Sequence, residues 1–325
     1  MTQALQPEEP QAPLPLSVPV PVPAAAARPI LLAPAPHLPF LDKRTAHPPG
    51  VQPLAPQDWI VVEGDFAEQM AAREALISTR PEIVLAALPE AAMATQELLA
   101  EVLAHLDAQP RYRVEGAEVR RPDGATVIVD GAAPMASIGR LVADDFCLLL
   151  PDAASGEYRL VAAVLCFPAR WSLAEKMGKP LTAIHAPVPN YAEGLSRRVN
   201  RLFDAIRPER PLWRANWLVY GDPVLHQPAL AAEDGPAPGD GKRWSPNGPF
   251  YLRVERQTLR RLPVSGAVAF GIKSSVTPVE ALRAEDAAVL SRELAGLHEA
   301  EIAYRIGQEA AKAICARLDA LAAAG

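Results

Sequence analysis

Apolar residues three and four positions apart between Asp65 and Ser78 would put Phe66, Met70, Ala71 and Leu76 on one helix face, with Asp65 as the cap. The same spacing through Met93, Leu98, Leu99, Val102 and Leu106 predicts a second helix over about 89–106. His105 stands near its end, where a cation suits the helix dipole. Pro122-Asp-Gly124 then reads as the turn of a hairpin joining Glu118-Val-Arg to Thr126-Val-Ile-Val129. After a short helix over 137–143, two dense apolar runs, 146–150 and 158–167, predict strands joined by a turn at 152–156.

The middle of the chain switches back to helix signals. Ser172-Leu-Ala-Glu175 has capping-box spacing, with Gly178 and Pro180 as stops. Asn190-Tyr-Ala-Glu193 repeats that spacing ahead of a longer helix that Pro208 ends. Between them His185 lies on a proline-stiffened connection beside Ile184, Val188 and Tyr191. An imidazole held on such a segment suits an axial metal ligand; a half-buried histidine bonded to a nearby carbonyl fits the same residues. Three strands follow, over 212–220, 251–262 and 267–275. In the first, period two sets Arg214 and Asn216 on one face and Trp213 and Trp217 on the other. Pro278 is read as the first residue of C-terminal helices, about 285–297 and 299–322.

These elements predict an α+β fold: a PAS-like five-stranded antiparallel sheet with a helical crossover, flanked by N- and C-terminal helices. Four regions follow: a Pro/Ala-rich disordered tail (1–36), a helical and hairpin region (37–145), the PAS-like core (146–276) and the C-terminal helices (277–325). The sheet would curl around the crossover and leave room for a flat cofactor.

Composition narrows the function. A net charge of −6 gives no general reason to bind nucleic acid or an anionic membrane. Three cysteines are too few for a four-thiolate iron–sulfur cluster and fit a reducing cytoplasm. The tail lacks a basic leader and is not read as a signal peptide. No serine-hydrolase elbow, zinc spacing, dinucleotide fingerprint or P-loop occurs. Arginine is locally dense, from Arg197 to Arg214 and from Arg253 to Arg261. Solvated ion pairs account for most of the helix arginines. On the strands, Arg214, Asn216, Glu255, Arg256 and Gln257 form either a structural Arg–Glu network or a functional one.

Several motifs in order resemble the haem-dependent oxidative N-demethylase family: Cys166-Phe-Pro-Ala-Arg-Trp171, Glu175-Lys-Met-Gly178, Ile184-His-Ala-Pro-Val-Pro189, Arg214-Ala-Asn-Trp217 and Leu252-Arg-Val-Glu-Arg-Gln-Thr-Leu-Arg-Arg-Leu-Pro263. The likeness runs from about Phe40 to Tyr304-Arg305, where the family pattern has Tyr-Lys. It implies a PAS-like domain holding haem b through His185, with His226 as the rival ligand. It also implies O2-dependent removal of an N-methyl group from a small, dimethylamine-like amine, releasing formaldehyde. Electrons would come from a separate flavin and iron–sulfur reductase. On strand position, Glu255 would bind the substrate ammonium or move its proton, Asn216 would donate to bound oxygen, and Arg256 would pair with a propionate. Arg214, Trp217 and Gln257 would line the cofactor. The other reading is a haem- or small-ligand-binding PAS-type sensor or interaction module.

Overall fold

The computed structural model describes residues 21–46, 50–186, 196–228 and 244–324. Its helices are α1 (Ala24–Ala27), α2 (Phe66–Thr79), α3 (Pro81–Val84), α4 (Ala92–Asp107), α5 (Pro134–Leu141), α6 (Leu173–Lys176), α7 (Leu181–Ile184), α8 (Ser196–Ala205), α9 (Ala284–Ala295), α10 (Glu299–Arg305) and α11 (Gln308–Ala324). Its strands are β1 (Gln52–Pro53), β2 (Leu85–Ala87), β3 (Arg113–Glu115), β4 (Glu118–Arg120), β5 (Thr126–Ile128), β6 (Asp145–Asp152), β7 (Glu157–Val164), β8 (Leu212–Tyr220), β9 (Tyr251–Arg261) and β10 (Val268–Pro278).

The fold is α+β and its sheets are antiparallel. The main sheet runs β1-β8-β9-β10-β6-β7-β2, and β3-β4-β5 forms a separate one. The main sheet therefore has seven strands where five were expected. Two short strands border the long five, β1 on β8 and β2 on β7. Both are too short to show an apolar period, and Pro53 is tolerated because an edge strand spares one row of donors. The long strands lie in spatial order second, first, fifth, fourth, third of their sequence order.

Cross-strand partners share a face, so the register sorts every side chain. One face carries Arg214, Asn216, Leu218 and Tyr220 of β8 opposite Gln257, Glu255, Arg253 and Tyr251 of β9. It continues through Phe270, Ile272 and Ser274 of β10 to Cys147 of β6. The crossover covers this face: Leu173, Leu181 and Phe203 pack with Cys147, Leu149, Leu160 and Leu259 in one apolar cluster. The reverse face divides between two others. The N-terminal region buries Trp59, Met70, Leu98 and Ile138 with Phe146 and Leu148, and the C-terminal helices bury Leu290, Ile314 and Leu318 with Trp217 and Val254. Arg261 staples the crossover to the sheet, donating from Nε to Ile206 O (2.8 Å) and from Nη2 to Phe203 O (2.6 Å) at the C-terminal end of α8.

Several sequence expectations shift. Residues 1–20 lie outside the described residues, but from Pro21 the chain does not behave as a free tail. Ala26 and Ile30 are buried and Leu32 N donates to Val276 O. Asp65 makes no capping bond; its carboxylate takes Gln69 Nε2 at 2.6 Å and faces buried Lys273 Nζ at 3.4 Å. His105 is no dipole-bound cation, since burial lowers its pKa against the opposing Ile60 backbone bond, with Arg260 adding a smaller push the same way as burial, and its ring packs on Trp59. Pro278 ends β10 and caps a single 3-10 turn, Val279–Ala281, so the first long C-terminal helix starts only at Ala284, and Gly307 (φ 82°) breaks the last helix into α10 and α11. The Asn190 cap lies outside the described residues.

Candidate functional site

Ser172 Oγ accepts from Glu175 N (3.3 Å), so the serine half of the capping box forms while the Glu175 carboxylate takes Lys176 Nζ (2.8 Å), and Gly178 takes a left-handed turn (φ 73°). The chain then makes one more helical turn, α7, which His185 caps. His185 is half-buried, and its Nδ1 lies 2.9 Å from Leu181 O. With Nδ1–H donated to that carbonyl, the lone pair resides on Nε2, the tautomer of a metal-ligating imidazole. Burial lowers its pKa, and the positive charges of Lys176 and Arg214 add to this against the opposing carbonyl bond. The ring is neutral at pH 7.

Across from it, the sheet presents Arg214, Asn216, Glu255 and Gln257. Glu255 stands opposite Asn216, and Gln257 opposite Arg214. Gln257 Nε2 donates to Glu255 Oε2 at 3.2 Å. Burial lowers the Arg214 pKa, opposed by Glu255 and reinforced by Arg305, and Arg214 Nε has no hydrogen-bond partner. Arg253, two residues before Glu255 and on the same face, is 1% exposed. Its Nη1 donates to Leu225 O (2.9 Å), its Nη2 to Phe167 O (2.5 Å), and its Nε lies 3.4 Å from Glu255 Oε1. Period two along β9 (Arg253, Glu255, Gln257) was the signal that could have added Arg253 to the site.

The rim is built by segments distant in sequence. Arg170 is the one non-glycine among the described residues with positive φ (61°), a conformation with no sequence signal. Its guanidinium stacks 4.2 Å over the Tyr220 ring and donates to Arg305 O at 3.2 Å. Arg305 in turn donates to Trp217 O at 3.2 Å, so α10 is tied to β8 beside the site. Burial pushes the Tyr220 phenol up to about 12, which keeps it neutral. His226 is buried at the edge, with Nδ1 2.7 Å from Cys166 O. With the Arg170 N to Gln227 O bond (2.7 Å), it stitches the 222–228 loop to the segment after β7.

Two expected site residues point away. Trp217 packs edge-on against Phe40 (5.9 Å) in the C-terminal core. Arg256 is on the reverse face too, donating to Trp59 O at 3.3 Å and to Asp58 O, with Trp213 under its guanidinium. Both alternate in sequence with the residues that face the crossover, and the pleat sends them to the other side. Neither shares a face with Arg214 and Glu255.

Arg256 instead neighbours Asp144, which is fully buried with no hydrogen-bond partner on either oxygen. Burial pushes the Asp144 carboxyl from 3.8 up to about 6, against the pull of Arg256, Lys273 and Arg73. The folded state then holds the proton more tightly than the unfolded one, so this group makes stability fall as pH rises from about 4 to about 6. The swing is about 3 kcal/mol at about 1.4 kcal/mol per unit. Chemical denaturation at pH 4 through 8 should show that slope, and Asp144→Asn should flatten it.

An imidazole in the ligating tautomer faces a buried cation with an open donor and a carboxylate beside two amides. The sequence pattern of the family described as "Haem-dependent oxidative N-demethylase, alpha subunit-like" matches residues 50–315. The chain belongs to this family. Membership makes it an oxidoreductase of the N-demethylase kind, and the alpha-subunit designation implies a larger assembly. The residues present fit the group that the family is named for: His185, in this tautomer, would offer Nε2 to iron, and the unpartnered Arg214 Nε would have a bond to give to a carboxylate at its rim. Among the described residues no cluster of three His, Cys, Asp or Glu forms a separate metal site, and no helix is long and apolar enough to cross a membrane.

Proposed function

We propose that this chain is the haem-binding, catalytic subunit of an oxygenase that removes a methyl group from a small methylated amine such as dimethylamine. The observation that carries the reading is His185, held by the Leu181 carbonyl in the tautomer whose Nε2 carries the lone pair, near Arg214. The second-first-fifth-fourth-third strand order, with the crossover helices over one face, supports a PAS-type core spanning about 146–276. The N-terminal region and the C-terminal helices then act as supports for its reverse face.

His185 would hold the iron and Arg214 a propionate. Haem b in this position would supply the activation of O2 and the oxidation of the N-methyl carbon, whose carbinolamine product falls apart to formaldehyde and the smaller amine. The remaining work belongs to the protein. Glu255 binds the substrate ammonium and takes its proton, leaving the amine nitrogen with the lone pair that favours oxidation next to it. Arg253 aims the Glu255 carboxylate, since its Nη atoms are fixed on two backbone carbonyls. Gln257 Nε2 holds the second carboxylate oxygen, and Asn216, directly opposite, would offer its amide N–H to the O2 that the haem activates. The crossover and α10 keep bulk water from these groups. Electrons arrive from a separate flavin and iron–sulfur reductase, in the cytoplasm.

Glu255→Gln should leave haem loading intact and lower kcat/KM for dimethylamine by about 100-fold, the range of a lost acid–base group. Formaldehyde release with a chemical reductant measures it. Unchanged turnover and amine affinity would remove Glu255 from the substrate side.

A further inference from the structure

The amphipathic helix α8 has a second side that the fold does not use. Val199, Leu202 and Phe203 pack inward on the crossover core, with Ile206 just beyond. Arg197, Arg198 and Arg201 are exposed on α8, followed by exposed Arg207 and Arg210. Only Asp204 and Glu209 counter them between 197 and 210, in a chain whose net charge is −6. Four exposed arginines elsewhere hold carboxylates, Arg44 with Asp42, Arg113 with Glu115, Arg283 with Glu285 and Arg317 with Glu280. Exposed Arg28, Arg111, Arg120 and Arg292 make no ion pair among the described residues but are scattered along the chain and not gathered on one helix. Among the described residues, none of the five guanidiniums at α8 makes an ion pair. Arg201 and Arg207 reach only backbone carbonyls, those of Arg197, Asp204 and Ile206.

We propose that this face of α8 is the docking surface for the acidic face of an electron-donating iron–sulfur protein. Three features support the assignment. Unpaired like charges on one helix raise its self-repulsion, which an acidic partner relieves. The helix is rigid where it matters, because Arg261 pins its C-terminal carbonyls to β9. It also packs against α7, which His185 caps, so a docked donor sits one helix from the candidate site. The step at this surface forms no bond: the reduced donor loses one electron and the group bound in this chain gains it. The proposal rests on the functional reading above for the donor's redox identity and the electron's destination, whereas the unpaired charge of the face stands on its own.

The test uses the full chain and a plant-type [2Fe–2S] ferredoxin as the acidic probe, with association rates read on a biosensor. The expected rate constant falls at least about tenfold between about 50 and 300 mM salt, and at least about tenfold at low salt in R197E/R198E/R201E. Circular dichroism checks that the variant is folded. The control R113E/R120E, on β3 and β4, keeps the wild-type rate. Equal rates for wild type and triple variant, equal loss in the control, or equally tight binding of a duplex DNA oligonucleotide would each overturn the proposal. Haem loading, read separately from the Soret band, tests the underlying reading: salt-sensitive docking without haem would contradict the site assignment and leave the surface standing.

Discussion

Arg253→Met should destabilise the protein by about 3–5 kcal/mol, the range for removing one partner of a buried ion pair. The methionine fills much of the volume but supplies no donor. Glu255, itself buried, loses its cation at 3.4 Å, and the carbonyls of Leu225 and Phe167 lose theirs. Leaving such groups unmet costs more than their bonds contribute when made. The damage should be local as well as global. Those carbonyls belong to the 222–228 loop and to the segment after β7, so the rim should become more susceptible to proteolysis near Phe167 and Leu225. Urea unfolding measures the first effect and limited proteolysis the second. A loss below about 1 kcal/mol would show that Arg253 does not hold these elements together.

His185→Ala should weaken haem binding by at least about 100-fold, more than is typical for loss of an outer-shell partner. The fold itself should change little, because His185 caps a single helical turn and its ring bonds to Leu181 within that turn. Haem affinity and stability should therefore separate: hemin titration shows the loss while urea unfolding does not. His226→Ala should do the opposite. Its Nδ1 bonds to Cys166 O, so its removal should loosen the loop and leave haem affinity near wild type.

Much of this site can be read along β8 and β9 because strands sort side chains by parity. Arg214 with Asn216, and Glu255 with Gln257, alternate with apolar or stacked neighbours, and register then places the pairs opposite one another. The same rule, applied to Trp217 and Arg256, assigns both to the reverse face; motif adjacency had grouped them with the site. His185 could be located between two helix signals, but not its tautomer, which depends on a carbonyl four residues back. The left-handed Arg170 and its contact with Tyr220 depend on tertiary packing that no local pattern encodes. The edge strands β1 and β2 escaped for another reason: two or three residues cannot display a period. Gly307, by contrast, stood in plain view inside the 299–322 run, where glycine's low helix propensity marks the break.

The most direct test replaces His185 with glycine and compares visible spectra of the haem-loaded proteins, with and without added imidazole. The wild type should show a Soret band that dimethylamine perturbs. His185→Gly should lose that spectrum and regain it when imidazole fills the vacated space. An identical Soret band in His185→Gly without imidazole would mean that iron is held elsewhere.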